Sequence, residues 1–270
     1  MEHKGDTYVL TRETHSSIRL TAQHFLWQRE LGWNLHPTIA KHLQDAGTGA
    51  SVAEIACGNG LWMVEESANH PRAHFTGFDI SDAFFPRQEN WPSNVQFEKL
   101  DAAAAAVPER LQGGFDVVHC RLMLGAIRDG NADPWIETFL ALLKPGGYLQ
   151  WDELHGVRQW TSSNGAADPK WNTFGTSMMK KRVPDSSFEW IAARSETLAR
   201  HGMVDISQIN VDKPSPALRK HWTDNEFAIM EDMATSMRLG EEVLQELADG
   251  KKQGFDWFSP LRVVIARKAP

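Results

Sequence analysis

The sequence contains few cysteines and tyrosines, no long apolar run and fewer basic than acidic residues. Its 270 residues include two cysteines, Cys57 and Cys120, and their spacing matches neither a disulfide framework nor a cysteine-rich zinc site. The formal charge of -7 disfavours nucleic acid as a substrate. Because no stretch approaches the roughly twenty uncharged residues of a transmembrane helix, we expect no membrane contact and a cytosolic or nuclear location.

The composition is that of a globular protein, with 41% hydrophobic and 23% charged residues. A chain of this length can bury a full core, so we predict one structural domain overall. Within it we expect an N-terminal helical cover over residues 1–48 and a main domain over residues 49–270. Looser patterning predicts cap insertions in the main domain at about 156–186 and 213–255.

Short apolar runs alternate with helical patterns from residue 51 onward. Helices are expected over residues 16–31 after a serine cap, over 133–143 with Asp133 as the cap, over 186–201, and as one long stretch over 215–250. The predicted strands are 51–56, 73–79, 95–100, 115–120, 148–153, 203–211 and 261–266. Strands separated by helices indicate a Rossmann-like α/β fold, with a mostly parallel sheet and helices on both faces.

A glycine loop follows the first predicted strand. Gly58 and Gly60 let the backbone approach a ligand closely because neither has a Cβ. A nicotinamide dinucleotide site would need a third small residue at position 63, and Met63 occupies it. The loop therefore favours a different nucleoside ligand.

Acidic residues follow the second and third predicted strands. Asp79 lies 19 positions after Gly60, an offset at which a carboxylate accepts hydrogen bonds from both hydroxyls of a ribose; the alternative is a helix cap or a surface charge. Asp101, beside Ala102, is placed to accept from an exocyclic adenine amine, and a solvated turn is its alternative. Both follow strands whose carboxyl ends should meet at one edge of the sheet.

Taken in order, these motifs resemble the class I S-adenosylmethionine-dependent methyltransferases. The resemblance rests on the glycine loop, the two acidic residues and the turn Leu142-Leu143-Lys144-Pro145-Gly146-Gly147 before the fifth strand. Further segments, including Arg19-Leu20-Thr21-Ala22-Gln23-His24 and Val118-His119-Cys120-Arg121-Leu122, resemble the fungal methyltransferases of secondary metabolism, the LaeA-like and gliotoxin-pathway group. The sequence departs from many class I enzymes in having Ala56 where they carry the first glycine of the loop.

The resemblance implies a seven-stranded sheet and S-adenosylmethionine as cofactor, with S-adenosylhomocysteine as product. It implies that the N-terminal helix folds over the cofactor and that Arg19, unless it is an exposed helix charge, pairs with the cofactor's carboxylate. The implied cofactor contacts come from Glu54, Ala56, Gly58, Gly60, Asp79, Ile80, Asp101 and the backbone near His119 and Cys120. We add Tyr8, Arg19 and Ala102 as cofactor-binding candidates.

Three histidines, His24, His119 and His155, are candidates for a general base, since an imidazole titrates near neutrality. A structural hydrogen-bonding role is the alternative for each. Asp152, Glu153 and His155 have the right types for a metal site, but neighbouring positions on a strand face opposite ways, so no metal is predicted. Five apolar residues could line an apolar acceptor pocket or could equally serve core or lid packing: Trp160, Trp171, Phe174, Met178 and Met179.

The expected activity is methyl transfer to an O, N or S atom of a small-molecule secondary metabolite. Two alternatives stay open: a regulator that binds the cofactor without turnover, and an enzyme of this fold that catalyses a non-methylating, pericyclic step. A homo-oligomer or a regulatory protein partner is compatible with each of them.

Overall fold

The computed structural model describes residues 10–103, 106–127, 130–155, 159–161, 188–254 and 256–270. Seven α-helices lie in these ranges: α1 (Thr14–Leu31), α2 (Pro37–Ala46), α3 (Leu61–Asn69), α4 (Asp133–Leu142), α5 (Glu189–Arg200), α6 (Arg219–Ser236) and α7 (Glu241–Lys252). The strands are β1 (Ser51–Ile55), β2 (His74–Asp79), β3 (Val95–Lys99), β4 (Phe115–Arg121), β5 (Leu143–Leu154), β6 (Gln159–Thr161), β7 (Met203–Val211), β8 (Asp256–Phe258) and β9 (Leu261–Lys268).

Seven strands form one sheet in the order β3-β2-β1-β4-β5-β9-β7. The first five are parallel, and β9 runs antiparallel to both β5 and β7. The order reverses beside β1, and this crevice at the carboxyl ends is where open α/β sheets bind ligands. The prediction of a Rossmann-like, mostly parallel seven-stranded sheet is confirmed.

Strand residues alternate between two apolar cores, one on each face of the sheet. In β1, Val52 packs with α1, α2 and α3, whereas its neighbour Ala53 packs with α4 and α5. In β4, Val117 and Val118 divide in the same way. The helices on both faces that the strand and helix pattern predicted are therefore present.

Helix ends differ from the sequence-based expectation in two places. α1 begins at Thr14 with Glu13 as its N-cap residue, and Ser16 lies inside the helix, where its hydroxyl donates to Asp232 Oδ2 at 2.9 Å. α4 has Ala132 rather than Asp133 at its N-cap, and neither α1 nor α4 has a side-chain cap. The Ser16 hydroxyl bonds Asp232, far away in the chain, instead of capping the helix, and a local sequence pattern cannot reveal such a contact.

The carboxyl-terminal part also differs from expectation. The helical stretch predicted over 215–250 is two helices, α6 and α7, separated at Gly240 with a φ of 94°. The sequence did not predict the small antiparallel sheet of β6 and β8. Both elements fall within or beside the expected insertions; residues 162–187 lie outside the described ranges. The proposed division into cover, main domain and insertions stays a prediction.

α6 packs along α1, so the carboxyl-terminal part of the chain holds the N-terminal helix in place. Glu30, near the end of α1, accepts from the Ser215 hydroxyl at 2.7 Å and from the Trp222 indole at 3.0 Å. Asn225 donates to the Arg19 carbonyl at 3.1 Å. In the described ranges, no helix combines the length and apolar character needed to cross a bilayer.

Candidate functional site

A cleft of about 280 Å³ opens at the carboxyl ends of β1, β2 and β4, beneath α1. The predicted site residues that line it are Arg19, His24, Glu54, Ala56, Gly58, Asp79, Ile80, Asp101 and Ala102. Gly60, His119, Cys120 and His155 are not among its lining residues. Tyr8 lies outside the described residues, as do Trp171, Phe174, Met178, Met179 and the side chain of Trp160.

Asp79 holds the glycine loop from the end of β2. Its Oδ2 accepts from the Gly58 amide at 3.0 Å, and its Oδ1 accepts from the Ser81 amide at 3.1 Å. A carboxylate oxygen has more than one lone pair and can accept more than one hydrogen bond. The carboxylate faces the cleft, as a ribose partner must.

Gly60 follows at the start of α3, with a φ of 71°. A Cβ there would lie 2.3 Å from Cε1 of Phe97, so any other residue would force the ring to move. Gly60 shapes the loop and lies behind the cleft wall.

Met63 is accommodated by a glycine on the neighbouring strand. A Cβ on Gly77 in β2 would lie 2.2 Å from Met63 Cε and 2.9 Å from Cys57 Sγ. The space that a third small loop residue supplies in dinucleotide sites is here supplied by Gly77. The chain thus packs α3 closely on the sheet with a long side chain in the first turn of the helix.

Two residues without glycine's freedom take left-handed backbone at the strand ends that border the cleft. Ala56, directly after β1, has a φ of 55°, and Leu122, directly after β4, has a φ of 63°. Such conformations cost about 1–2 kcal/mol per L-residue. Strain of this kind gathers at binding sites, where tight backbone turns bring peptide groups to a ligand.

Arg19 on α1 is a buried cation with unused donors. It is 6% exposed and lines the cleft, and its Nε and one Nη have no hydrogen-bond partner. The nearest acid is Asp232, with Oδ2 at 4.0 Å from Nε. An unsatisfied buried guanidinium is costly, so this position fits an anionic ligand group.

The loop after β3 contributes two predicted residues. Asp101 is exposed, and its Oδ1 accepts from the Ala103 amide at 3.0 Å. Ala102 is buried, and its carbonyl accepts from Thr138 Oγ1 at 2.8 Å, which joins the loop to α4. Asp101 therefore lines the cleft in a loop whose backbone is held by the hydrogen bond from Thr138.

His119 lies below the cleft rather than in it. The ring is fully buried, stacks on Trp62 at 3.9 Å, and places Nε2 at 3.3 Å from Asp152 and Nδ1 at 3.4 Å from Glu54. Burial alone would lower its pKa, but Asp152 and Glu54 outweigh this and raise it. An enclosed imidazole between two carboxylates cannot meet an acceptor, so the placement argues against His119 as the base.

Two further predicted residues lie outside the cleft wall. The backbone amide of His155, just after β5, donates to the Pro260 carbonyl. Cys120 is fully buried in β4, and burial raises the pKa of its thiol well above the ordinary value. Neither residue lines the cleft, and the predicted backbone contact near Cys120 and the role of His155 as a base stay predictions.

His24 is the general-base candidate that lines the cleft. It is 6% exposed, with Nε2 at 2.9 Å from Glu65 Oε2 and Nδ1 at 3.5 Å from an Nη of Arg121. Burial and the Arg121 charge lower its pKa, against the opposing effect of Glu65. The imidazole is therefore neutral at physiological pH and able to accept a proton.

Glu54 forms the inner wall below β1. It is 5% exposed, lines the cleft and has one oxygen without a hydrogen-bond partner. Burial raises its pKa, although His119 and Arg121 oppose the effect. An uncommitted carboxyl oxygen at this point can accept from a ligand amine.

The sequence did not assign roles to three side chains that complete the site. Arg121 lines the cleft, and its Nε and one Nη donate to Asp152 Oδ2 at 3.0 and 2.9 Å. Glu65 and Asp232 hold His24 and the Arg19 region from separate helices. The sequence could have indicated Arg121, because it directly follows the predicted strand 115–120. It could not have indicated Glu65 or Asp232, because their partners His24 and Arg19 lie 41 and 213 positions away in the chain.

Comparison with known proteins gives a family for the central part of the chain. Residues 53–149 match the family described as a methyltransferase domain. Methyltransferase grgD of Penicillium sp. is 26% identical over 97% of this chain and 96% of its own length. The secondary metabolism regulator LAE1 of Pyricularia oryzae is 26% identical over 82% of this chain and 65% of its own length.

A solved structure gives the same fold over the whole chain. Phosphoethanolamine N-methyltransferase 2 of Haemonchus contortus, in complex with phosphomonomethylethanolamine and S-adenosylhomocysteine, aligns with a TM-score of 0.58 at 17% identity. The alignment covers 100% of this chain and 61% of that protein. At 17% identity, this likeness shows the fold alone.

Proposed function

We propose that this chain, which carries a methyltransferase domain at residues 53–149, transfers a methyl group to an O, N or S atom of a small-molecule secondary metabolite. The match at residues 53–149 supports the methyltransferase resemblance of the strand-end motifs. The observation that carries the proposal is a cleft in which Asp79 anchors the glycine loop and Arg19 offers unused donors.

The residues present fit S-adenosylmethionine, the cofactor of the methyltransferases the chain resembles. Asp79 would accept from its ribose hydroxyls, Arg19 would pair with its carboxylate and Glu54 would accept from its amine. Asp101 would meet the adenine amine. Each assignment uses a residue that lines the cleft, and the buried guanidinium of Arg19 would gain an acceptor for the N–H groups that have none.

When bound, the cofactor supplies a methyl group already activated by a cationic sulfur, which keeps the electron pair of the broken carbon–sulfur bond. The protein must hold the acceptor in line and exclude water, and such positioning can contribute about 7–11 kcal/mol. Here α1 covers the cleft and α6 fixes α1 from outside. His24 is our general base because it borders the cleft with a neutral ring.

Incubation with S-adenosylmethionine labelled on its methyl group and a metabolite extract tests the proposal. Mass spectrometry should find a product heavier by one labelled methyl, together with stoichiometric S-adenosylhomocysteine. His24→Gln should abolish the product while calorimetry still detects cofactor binding. Binding without any labelled product would favour the regulator, for which LAE1 is a similar protein; a changed product without S-adenosylhomocysteine would favour the pericyclic step.

A further inference from the structure

We propose that His24 Nδ1 and Arg121 Nη form a two-point site for an acceptor carrying an acidic O–H or N–H group, such as a phenol, enol or imide. This inference rests on the proposed methyl transfer and specifies its substrate class. The two atoms are 3.5 Å apart, and both side chains line the cleft.

Glu65 fixes which nitrogen of His24 carries the proton. Its Oε2 accepts from the Asn34 amide at 2.8 Å and from the Gln28 amide at 3.1 Å, and lies 2.9 Å from His24 Nε2. These donors lower the pKa of Glu65, although burial opposes them. An ionised carboxylate can only accept, so Nε2 bears the hydrogen and Nδ1 has the lone pair, which accepts from an Nη of Arg121 at 3.5 Å until an acceptor O–H or N–H group displaces that contact.

The guanidinium of Arg121 is held by contacts on the side away from His24. Two of its N–H groups donate to Asp152 Oδ2, and its guanidinium lies 5.0 Å from the centre of the Trp27 ring. The remaining Nη lies beside His24 Nδ1. Arginine stays charged at any working pH, so a permanent cation, paired with Asp152 on its far side, stands next to the Nδ1 lone pair.

This pairing favours acceptors that leave an anion when they lose a proton. The acceptor's O–H or N–H bond breaks, its proton moves to Nδ1, and its electron pair stays on the acceptor atom, whose negative charge faces Arg121. A protonated amine would leave a neutral atom when it loses its proton, so the His24 imidazolium would face Arg121 with no new anion between them. The other charged groups facing His24 are Glu65 and, more distantly, His119. Both act equally on either kind of acceptor, so the preference for an acidic acceptor over an ammonium one remains.

A coloured weak acid reports this site directly. Protein saturated with S-adenosylhomocysteine is titrated with 4-nitrophenol at pH 6, and absorbance measures how much of the phenol is ionised. We expect at least a threefold higher ionised fraction in the complex, because His24 takes the proton and Arg121 stabilises the phenolate. 4-Nitrobenzylammonium, a cation of similar shape, should not displace the phenol.

Variants separate the contributing groups. Arg121→Gln and His24→Gln should each abolish the absorbance change, and 15N NMR of Glu65→Gln should show the free nitrogen of His24 no longer confined to Nδ1. Glu66→Gln is the matched control: it adjoins Glu65 on α3 but pairs with His70 at 3.6 Å, so it should leave the His24 signals unchanged.

An unchanged ionised fraction, or displacement by the ammonium compound, would overturn the acidic-acceptor assignment while leaving methyl transfer intact. Failure of S-adenosylhomocysteine to bind, measured beforehand by calorimetry, would instead overturn the proposed function and this inference with it.

Discussion

Arg19 Nε on α1 lies 4.0 Å from Asp232 Oδ2 on α6, and this pair joins the first helix of the described chain to one near its carboxyl end. The same carboxylate accepts from Thr11 Oγ1 at 2.7 Å and from Ser16 Oγ at 2.9 Å. Burial would raise the pKa of Asp232, but the hydrogen bonds from Thr11, Ser16 and His15 lower it. A charged Asp232 thus orders the start of α1 and keeps Arg19 at the cleft.

Arg19→Met should weaken binding of S-adenosylhomocysteine by about 10- to 100-fold, the value of a hydrogen bond to a charged group. Affinity for 5′-methylthioadenosine, which lacks the amino-acid carboxylate, should not change. Calorimetry with both ligands measures the difference, and Arg29→Met at the exposed end of α1 is the control. Equal losses for both ligands would contradict a carboxylate contact.

Asp79→Ala should reduce cofactor affinity by about 1.5–3 kcal/mol, since it removes a charged hydrogen-bond acceptor and frees the Gly58 amide. Asp82→Ala, three positions later and exposed, should bind normally. Calorimetric titration of both variants tests this. Wild-type affinity in Asp79→Ala would rule out the ribose assignment.

Ala56→Gly should stabilise the protein. Relief of the left-handed conformation gains about 1–2 kcal/mol, and the greater freedom of glycine in the unfolded chain costs about 0.5–1 kcal/mol. We therefore expect a net gain of roughly 0.5–1 kcal/mol in urea unfolding. Ala192→Gly, in the middle of α5, should have the opposite sign. A loss of stability in Ala56→Gly would show that the turn is not strained.

Glu153→Gln should change how stability depends on pH. Burial raises the pKa of Glu153 to about 7 from an ordinary value of 4.5, while Arg194 opposes the shift. The stabilisation by the protonated carboxyl is complete below about pH 4.5 and is lost as pH rises through about 7. The free energy of unfolding of wild type should therefore fall by up to about 3 kcal/mol relative to that of the variant. Urea unfolding at pH 4.5 and 8 measures this.

The exposed Glu137→Gln is the control for that comparison. A stability difference between Glu153→Gln and wild type that stays constant from pH 4.5 to 8 would show that Glu153 is already ionised at the lower pH.

Local patterns predicted the parts of the site that come from consecutive residues at strand ends. The glycine loop and Asp79 follow β1 and β2, and parallel strands bring their carboxyl ends to one edge. The same reasoning could not rank the three histidines. His119 belongs to a strand and points beneath the cleft, whereas His24 reaches it from the covering helix.

The sequence by itself determined the α/β class, the seven strands of the main sheet and the edge at which the cleft lies, because hydrophobic periodicity and turn chemistry act over a few neighbouring residues. The tertiary structure alone decided that α6 fixes α1, that Glu65 and Arg121 enclose His24, and that Gly77 makes room for Met63. Those contacts join residues far apart in the chain, and packing geometry, which no local pattern encodes, sets them.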